Sequence, residues 1–263
     1  MNTVTREQIA FDLSLCGISR GDVILMHSSL SSIGFVEGGA DAVIDAVLDV
    51  LGPEGTFAAS TLAISETEAF DPARTPSTVG KISETMRARP GAQRSWHPVH
   101  SIVALGARAE ELCAGHGETT GCGEGSPYLK LRDMGGKVVL LGVDMNRNTT
   151  LHAIEDLMDS CYLEELSLPA PVYVEDFRSK TVLIKKFPPG HRDFLRFTPV
   201  LRRAGALTEG RCGRAVVKVI DAAKMIDLGL EILQNEPMFF MCDNAACEYC
   251  AQAHQKFRGE VQA

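Results

Sequence analysis

The feature that most constrains this chain is a run of consecutive apolar residues at 137–143, where Val138, Val139, Leu140, Leu141 and Val143 stand almost without interruption. A strand that is apolar on both faces has to be covered on both faces, which is how strands behave in α/β proteins. Residues 23–27 repeat the pattern on a smaller scale, and residues 56–63 and 100–105 read as further strands. Between them lie segments with helical spacing. Val43, Ile44, Val47, Leu48 and Leu51 fall on one helix face, which Gly52-Pro53 stops. Thr5-x-x-Gln8 opens an earlier helix as a capping box, and Gly17 ends it. Residues 77–89 read as a helix ended by Pro90, a short helix precedes Gly115, and Ser126-Pro127 forms an N-cap with proline at the first helical position.

The pattern changes after Pro169. Residues 172–174 and 181–186 read as antiparallel strands around a polar turn at Arg178-Ser179-Lys180. Residues 191–203 and 221–234 have helical spacing, with a strand at 215–219 between them. The expected fold is therefore α/β, a three-layer α/β/α sandwich with a mixed central sheet and an α+β elaboration in the last third. One domain is expected over 1–263, with a βα-rich core at 1–168 and an α+β part with a Cys-rich tail at 169–263.

Composition agrees with a globular protein: 45% of the 263 residues are hydrophobic and 23% charged. A chain of this mass buries about 73% of its unfolded surface, enough for a core without staples. The formal net charge of −8 argues against nucleic acid or an anionic membrane as partner, and tolerates a cationic substrate. No apolar run approaches a membrane span, and residues 1–7 lack the basic-then-apolar pattern of a signal peptide. A cytoplasmic location is expected, with the eight cysteines as reduced thiols.

The best chemical candidate is Asn148-Thr149-Thr150-Leu151-His152-Ala153-Ile154-Glu155-Asp156, directly after the strongest strand. Ligands in open α/β sheets bind at the carboxyl ends of strands. Asn148 or Thr149 is expected to cap the helix that follows. On a helix, His152 shares a face with Glu155 and with Asp156. A carboxylate that holds one imidazole nitrogen leaves the other to take a proton. The competing reading is a histidine packed at a helix start, with two acids that suit the helix dipole.

Other segments carry weaker signals. His97-Pro98-Val99-His100-Ser101 places two histidines and a serine in one loop; it suits phosphate, metal or substrate, or a loop pinned by backbone hydrogen bonds. His27-Ser28-Ser29-Leu30-Ser31-Ser32 follows the first strand and can cradle a phosphate. It is neither a nucleophile elbow nor a Walker loop. Gly121-Cys122-Gly123-Glu124-Gly125 is half a dinucleotide fingerprint with no strand before it. In the tail, Cys242, Cys247, Cys250 and His254 form a four-ligand zinc spacing, or a helix with reduced thiols.

With its motifs in this order, the chain resembles the aminoglycoside 3-N-acetyltransferase family. The resemblance rests on His27-Ser28-Ser29-Leu30-Ser31-Ser32-Ile33-Gly34 with Glu37-Gly38-Gly39, and on Leu51-Gly52-Pro53-Glu54-Gly55-Thr56. It continues through Phe70-Asp71-Pro72, Thr75-Pro76-Ser77, His97-Pro98-Val99-His100-Ser101, Gly123-Glu124-Gly125-Ser126-Pro127-Tyr128 and the His152 segment, and on through Ala204-Gly205-Ala206-Leu207 and Ile220-Asp221-Ala222-Ala223, so that it covers nearly the whole chain. It implies acetyl transfer from acetyl-CoA to an aminoglycoside amine, the 3-N position, with His152 and Glu155 as the catalytic pair. The cofactor surface implied is His27, Ser28, Ser29, Leu30, Ser31, Gly34, Thr75, Ser77, His97, His100 and Ser101. Asp71, Glu124, Asp144 and Asp156 are the expected contacts for acceptor ammonium groups. No metal ligand is assigned to this chemistry. The family commonly has Pro-Thr after the second strand, where this chain has Ser60-Thr61-Leu62. Another amine acceptor, a CoA-binding protein of this fold without turnover, and a covalent route through Cys161 are the other readings. The partner expected is a small-molecule amine; a homodimer is left open.

Overall fold

The computed structural model describes residues 3–63, 70–116, 120–171, 179–186 and 191–261. Its strands are β1 (Thr3–Val4), β2 (Val23–Ser28), β3 (Phe35–Val36), β4 (Thr56–Ser60), β5 (Gln93–Arg94), β6 (Ile102–Gly106), β7 (Lys137–Leu141), β8 (Glu164–Pro171), β9 (Ser179–Lys186), β10 (Leu207–Cys212) and β11 (Ala215–Asp221). Its helices are α1 (Arg6–Leu15), α2 (Leu30–Ile33), α3 (Gly39–Leu51), α4 (Lys81–Arg87), α5 (Ala109–Cys113), α6 (Pro127–Asp133), α7 (Leu151–Leu157), α8 (Thr198–Arg203), α9 (Ala222–Asn235) and α10 (Glu248–Val261).

The central sheet has the order β10-β11-β7-β2-β4-β6-β5. Its middle is parallel, β7 and β4 flanking β2, and its two wings are antiparallel. The mixed sheet is thus as the sequence implies. The apolar runs explain why β2 and β7 are central. Ile24, Met26, Val139 and Leu141 point to one apolar cluster, with α1 and α3. Val23, Leu25, Val138 and Leu140 point to the opposite one, with α6, α7 and α9. Each fully buried aliphatic side chain on either face stabilises the fold by about 1.5–3 kcal/mol relative to exposure.

Several expectations shift. The last third is not only packed onto the sheet, because the β10–β11 hairpin extends it beside β7. Val172, Val174 and Arg178 lie outside the described residues, and the antiparallel pair is Glu164–Pro171 with Ser179–Lys186. Ser179 and Lys180 therefore sit in a strand rather than a turn. The helix expected from Ser77 begins only at Lys81. Ser77 is held in the loop by its backbone N–H to Glu84 and its hydroxyl to the Val79 N–H, and Gly80 with φ 79° turns the chain into α4. Residues 191–203 contain only a 3-10 turn, Phe194–Phe197, and then α8. Thr5 and Ser126 do cap α1 and α6.

Candidate active site

β7 delivers the chain to the carboxyl end of the sheet. Gly142, at φ 69°, turns it aside, and a side chain there would run into Ser32. The Ser32 hydroxyl instead donates to the Gly142 carbonyl at 3.1 Å, which ties the loop after β2 to the end of β7. A 3-10 turn at Met145–Arg147 follows, capped by the Asp144 carboxylate. Asn148 Oδ1 then accepts from the Thr150 N–H at 3.1 Å, and α7 begins. The residue at the cap position is Thr150, not Asn148 or Thr149, and its side chain makes no capping bond. The Asn148 turn takes over the task just before it.

The first turn of α7 brings His152 and Glu155 together as the spacing implies. His152 Nδ1 lies 2.6 Å from Glu155 Oε2, and Glu155 is fully buried. The other carboxylate oxygen accepts from Tyr162 Oη at 2.9 Å and from Arg192 Nε at 2.5 Å. The guanidinium of Arg192 is stacked between the rings of Tyr162 and Tyr249, at 4.8 and 5.0 Å. Burial alone raises the Glu155 carboxyl, but the Arg192 charge and the His152 contact outweigh it and hold the group below the usual carboxylate range. An ionised Glu155 only accepts hydrogen bonds. It therefore fixes the proton on Nδ1 and leaves Nε2 as the accepting nitrogen.

His152 lines a cavity of about 350 Å³ with His27 and Ser28 from β2, Ser60 from β4, Gly80 and Ser83 near α4, and Asn146 to Thr149 from the loop after β7. A second groove of about 590 Å³ opens beyond it. Ser28, Ser29, Leu30, Ser31, Gly34, Gly80, Lys81 and Ile82 are among its walls, so the two spaces share Ser28 and Gly80. A Cβ on Gly34 would lie 3.2 Å from Arg214 Nε, which places that guanidinium against the loop.

The remaining expected residues lie elsewhere. Thr75 and Ser77 line neither space; the Thr75 hydroxyl accepts from the Asp71 N–H at 2.8 Å, so both order their own loop. His97, His100 and Ser101 are buried in a network behind the cavity rather than in its wall. The His100 N–H donates to His97 Nδ1, the His97 ring stacks on His116 at 5.0 Å, and Ser101 bonds Thr61. Burial pushes His100 down to about 3 and His116 to about 4, so both are neutral. His27, at the cavity, is pushed down to about 4 by the same cause.

None of the four expected acids lines either space. Asp71 accepts from the N–H groups of Ala73 and Arg74. Asp144 pairs with Lys218. Glu124 is exposed, and Asp156 is buried against Gly123. The sequence reading missed Arg192, Tyr162 and Tyr249. Nothing near them in the chain signals that they meet Glu155.

The comparisons with known proteins bear on this geometry. The profile of the family described as aminoglycoside 3-N-acetyltransferase matches residues 25–234. The chain is 30% identical over 269 aligned positions to aminoglycoside N(3)-acetyltransferase VII of Streptomyces paromomycinus, covering 89% of this chain and 92% of that one. Among solved structures it resembles a histidine-to-alanine mutant of AAC(3)-IVa in complex with a gentamicin. That likeness has a TM-score of 0.88 and 27% identity, over 97% of this chain and 98% of the other. It also resembles the binary complex of AAC-IIIb with CoASH, with a TM-score of 0.79 and 30% identity over 89% and 98%. No helix among the described residues is long and apolar enough to cross a membrane. By the extent of the profile match and by these relatives, the chain belongs to the aminoglycoside 3-N-acetyltransferase family.

Proposed function

We propose that the protein transfers the acetyl group of acetyl-CoA to an amine of an aminoglycoside, at the 3-N position, by direct attack in a ternary complex. The observation that carries the mechanism is the 2.6 Å contact of His152 with a buried, ionised Glu155 at the wall of a cavity. Acetyl-CoA lies along the outer groove, its phosphates near the Ser29–Ser31 hydroxyls, Lys81 and Arg214, and its thioester at the shared wall of Ser28 and Gly80. The acceptor amine sits in the inner cavity.

An amine of pKa about 8–10 arrives largely as ammonium, so a proton must leave before attack. His152 Nε2 takes it, and Glu155 stabilises the imidazolium that results. The nitrogen attacks the thioester carbonyl, and the hydroxyls of Ser28 and Ser60 on the cavity wall are available to donate to the developing oxyanion. The attacking nitrogen, now cationic, still carries a second proton to lose: it passes to the CoA thiolate as the C–S bond breaks and the amide forms, and the imidazolium releases the first proton to solvent, so that ammonium and thioester yield amide, free thiol and one proton. Three features of the chain support this reading over a covalent route through Cys161. Cys161 lies on the wall of a different pocket, with Met158 and Leu233, it is absent from the cavity of His152, and Glu155 turns toward the imidazole.

The test is His152→Ala, followed by thiol release from acetyl-CoA with a gentamicin-type acceptor and with unrelated amines. A fall of about 10²–10⁴ in kcat is expected. Activity within about threefold of the parent protein removes His152 as the base, since general-base catalysis contributes far more than that. Turnover of unrelated amines in preference to aminoglycosides changes the acceptor and keeps the base.

A further inference from the structure

The Cys-rich tail has no part in the reaction above, yet its side chains converge. One ligand atom each from His191, Cys242, Cys247 and Cys250 lies within 4.8 Å of all the others. The spacing C-x4-C-x2-C-x3-H alone suggests His254 as the fourth member. That ring turns away, its Nε2 4.0 Å from the Asp243 carboxylate. The fourth position is filled by His191, 59 positions before Cys250.

The geometry suits a tetrahedral ion. With metal–sulfur bonds of about 2.3 Å and metal–nitrogen bonds of about 2.0–2.1 Å, a tetrahedron has a sulfur-to-nitrogen edge of about 3.6 Å. Cys250 Sγ lies 3.6 Å from His191 Nδ1. The Cys242 N–H donates to Cys250 Sγ at 3.4 Å, the kind of outer bond that steadies a metal-bound thiolate. Cys242, Cys247 and Cys250 are all outside any disulfide, so no S–S bond competes for the cluster. Three thiolates and one imidazole are a structural zinc set with no position left open for substrate.

The cluster also stands behind the catalytic carboxylate. Arg192 follows His191, and Tyr249 precedes Cys250. These two neighbours stack on each other, and Arg192 Nε donates to Glu155. We propose that His191, Cys242, Cys247 and Cys250 bind a structural zinc ion that fastens α10 to the segment carrying Arg192, and so positions the Glu155–His152 pair. The positioning half rests on His152 as the base; the metal half does not.

The full-length protein, purified without chelator, should contain one zinc per chain by elemental analysis. Exchange into cobalt(II) should give the visible bands of a tetrahedral ion and a thiolate-to-cobalt charge-transfer band. His191→Ala should lose the metal, His191→Cys should regain it, and His254→Ala should keep it. Zinc below about 0.1 per chain together with no cobalt spectrum overturns the site, because a Cys3His set binds too tightly to be lost in purification. Retention in His191→Ala with loss in His254→Ala overturns the ligand assignment. For the positioning half, His191→Ala should lower kcat about tenfold with little change in KM and should shift the acidic limb of the pH–rate profile, and His191→Cys should restore both. Loss of zinc with an unmoved limb overturns that half and leaves the metal site standing. If His152→Ala is itself active, only the positioning half falls.

Discussion

His152 and His100 are close neighbours, with ring centroids 6.5 Å apart, yet the two regions treat an imidazole in opposite ways. Around α7 the ring is half-buried and its partner is fully buried. Glu155 is held ionised there by Arg192 and by the histidine itself. In the loop network behind, the rings are buried and their partners are neutral. His116 meets the Ser95 hydroxyl and the Gly121 carbonyl, each at 2.8 Å, and His97 accepts a backbone N–H. Burying an imidazole among neutral groups makes a packing residue that cannot charge. Burying its carboxylate partner instead, and leaving the ring at a cavity wall, gives the arrangement that the proposed base requires.

Acid separates the two regions most strongly. His27, His100 and His116 have folded values below the ordinary 6.5, so the unfolded chain takes up protons that the folded one refuses. Stability should be full above pH 6.5 and fall as pH drops toward about 4 for His27 and His116 and about 3 for His100. The slope is up to about 1.4 kcal/mol per pH unit for each histidine. Glu155, with its folded value lowered from 4.5, adds a loss only below that point. Thermal melts from pH 8 to pH 4 check this, and a flat Tm between pH 6.5 and 5 breaks the comparison.

Glu155→Ala comes next in size. It strands the Arg192 guanidinium, whose side chain is 5% exposed, without its carboxylate. Breaking a buried pair in this way costs about 3–5 kcal/mol, readable as a drop in the urea midpoint, and acetyl transfer should fall with it. His116→Ala is the smallest of the three. It leaves Ser95 and Gly121 short of a partner, at a cost of about 1–3 kcal/mol, while turnover of the folded protein stays near that of the parent. A rate loss like that of His152→Ala would put the network into the chemistry and erase the distinction.

The legible parts of the molecule are local in sequence. The apolar runs mark β2 and β7 because both faces of those strands are covered. His152 and Glu155 meet because an i, i+3 pair on a helix needs no information from elsewhere. β10 escapes notice, because Thr208, Glu209 and Arg211 on this edge strand face solvent and carry no strand pattern. Arg192 and His191 escape notice as partners because each is defined by groups far along the chain. The expected acids fail for a related reason. Asp71 and Asp144 are short carboxylates beside backbone N–H groups, and local turns claim them first.

The hairpin of β10 and β11 has a consequence for how the molecule is made. β7 leads into the loop that ends on His152, and among the described residues its far edge is paired by Val217 to Asp221. On the ribosome, a chain that has emerged through α7 therefore carries His152 and Glu155 just beyond a strand with one open edge. That edge can recruit any other extended segment until the hairpin arrives. The last third acts as a closing piece, and a nascent chain stalled before residue 215 should be the most aggregation-prone intermediate of its synthesis.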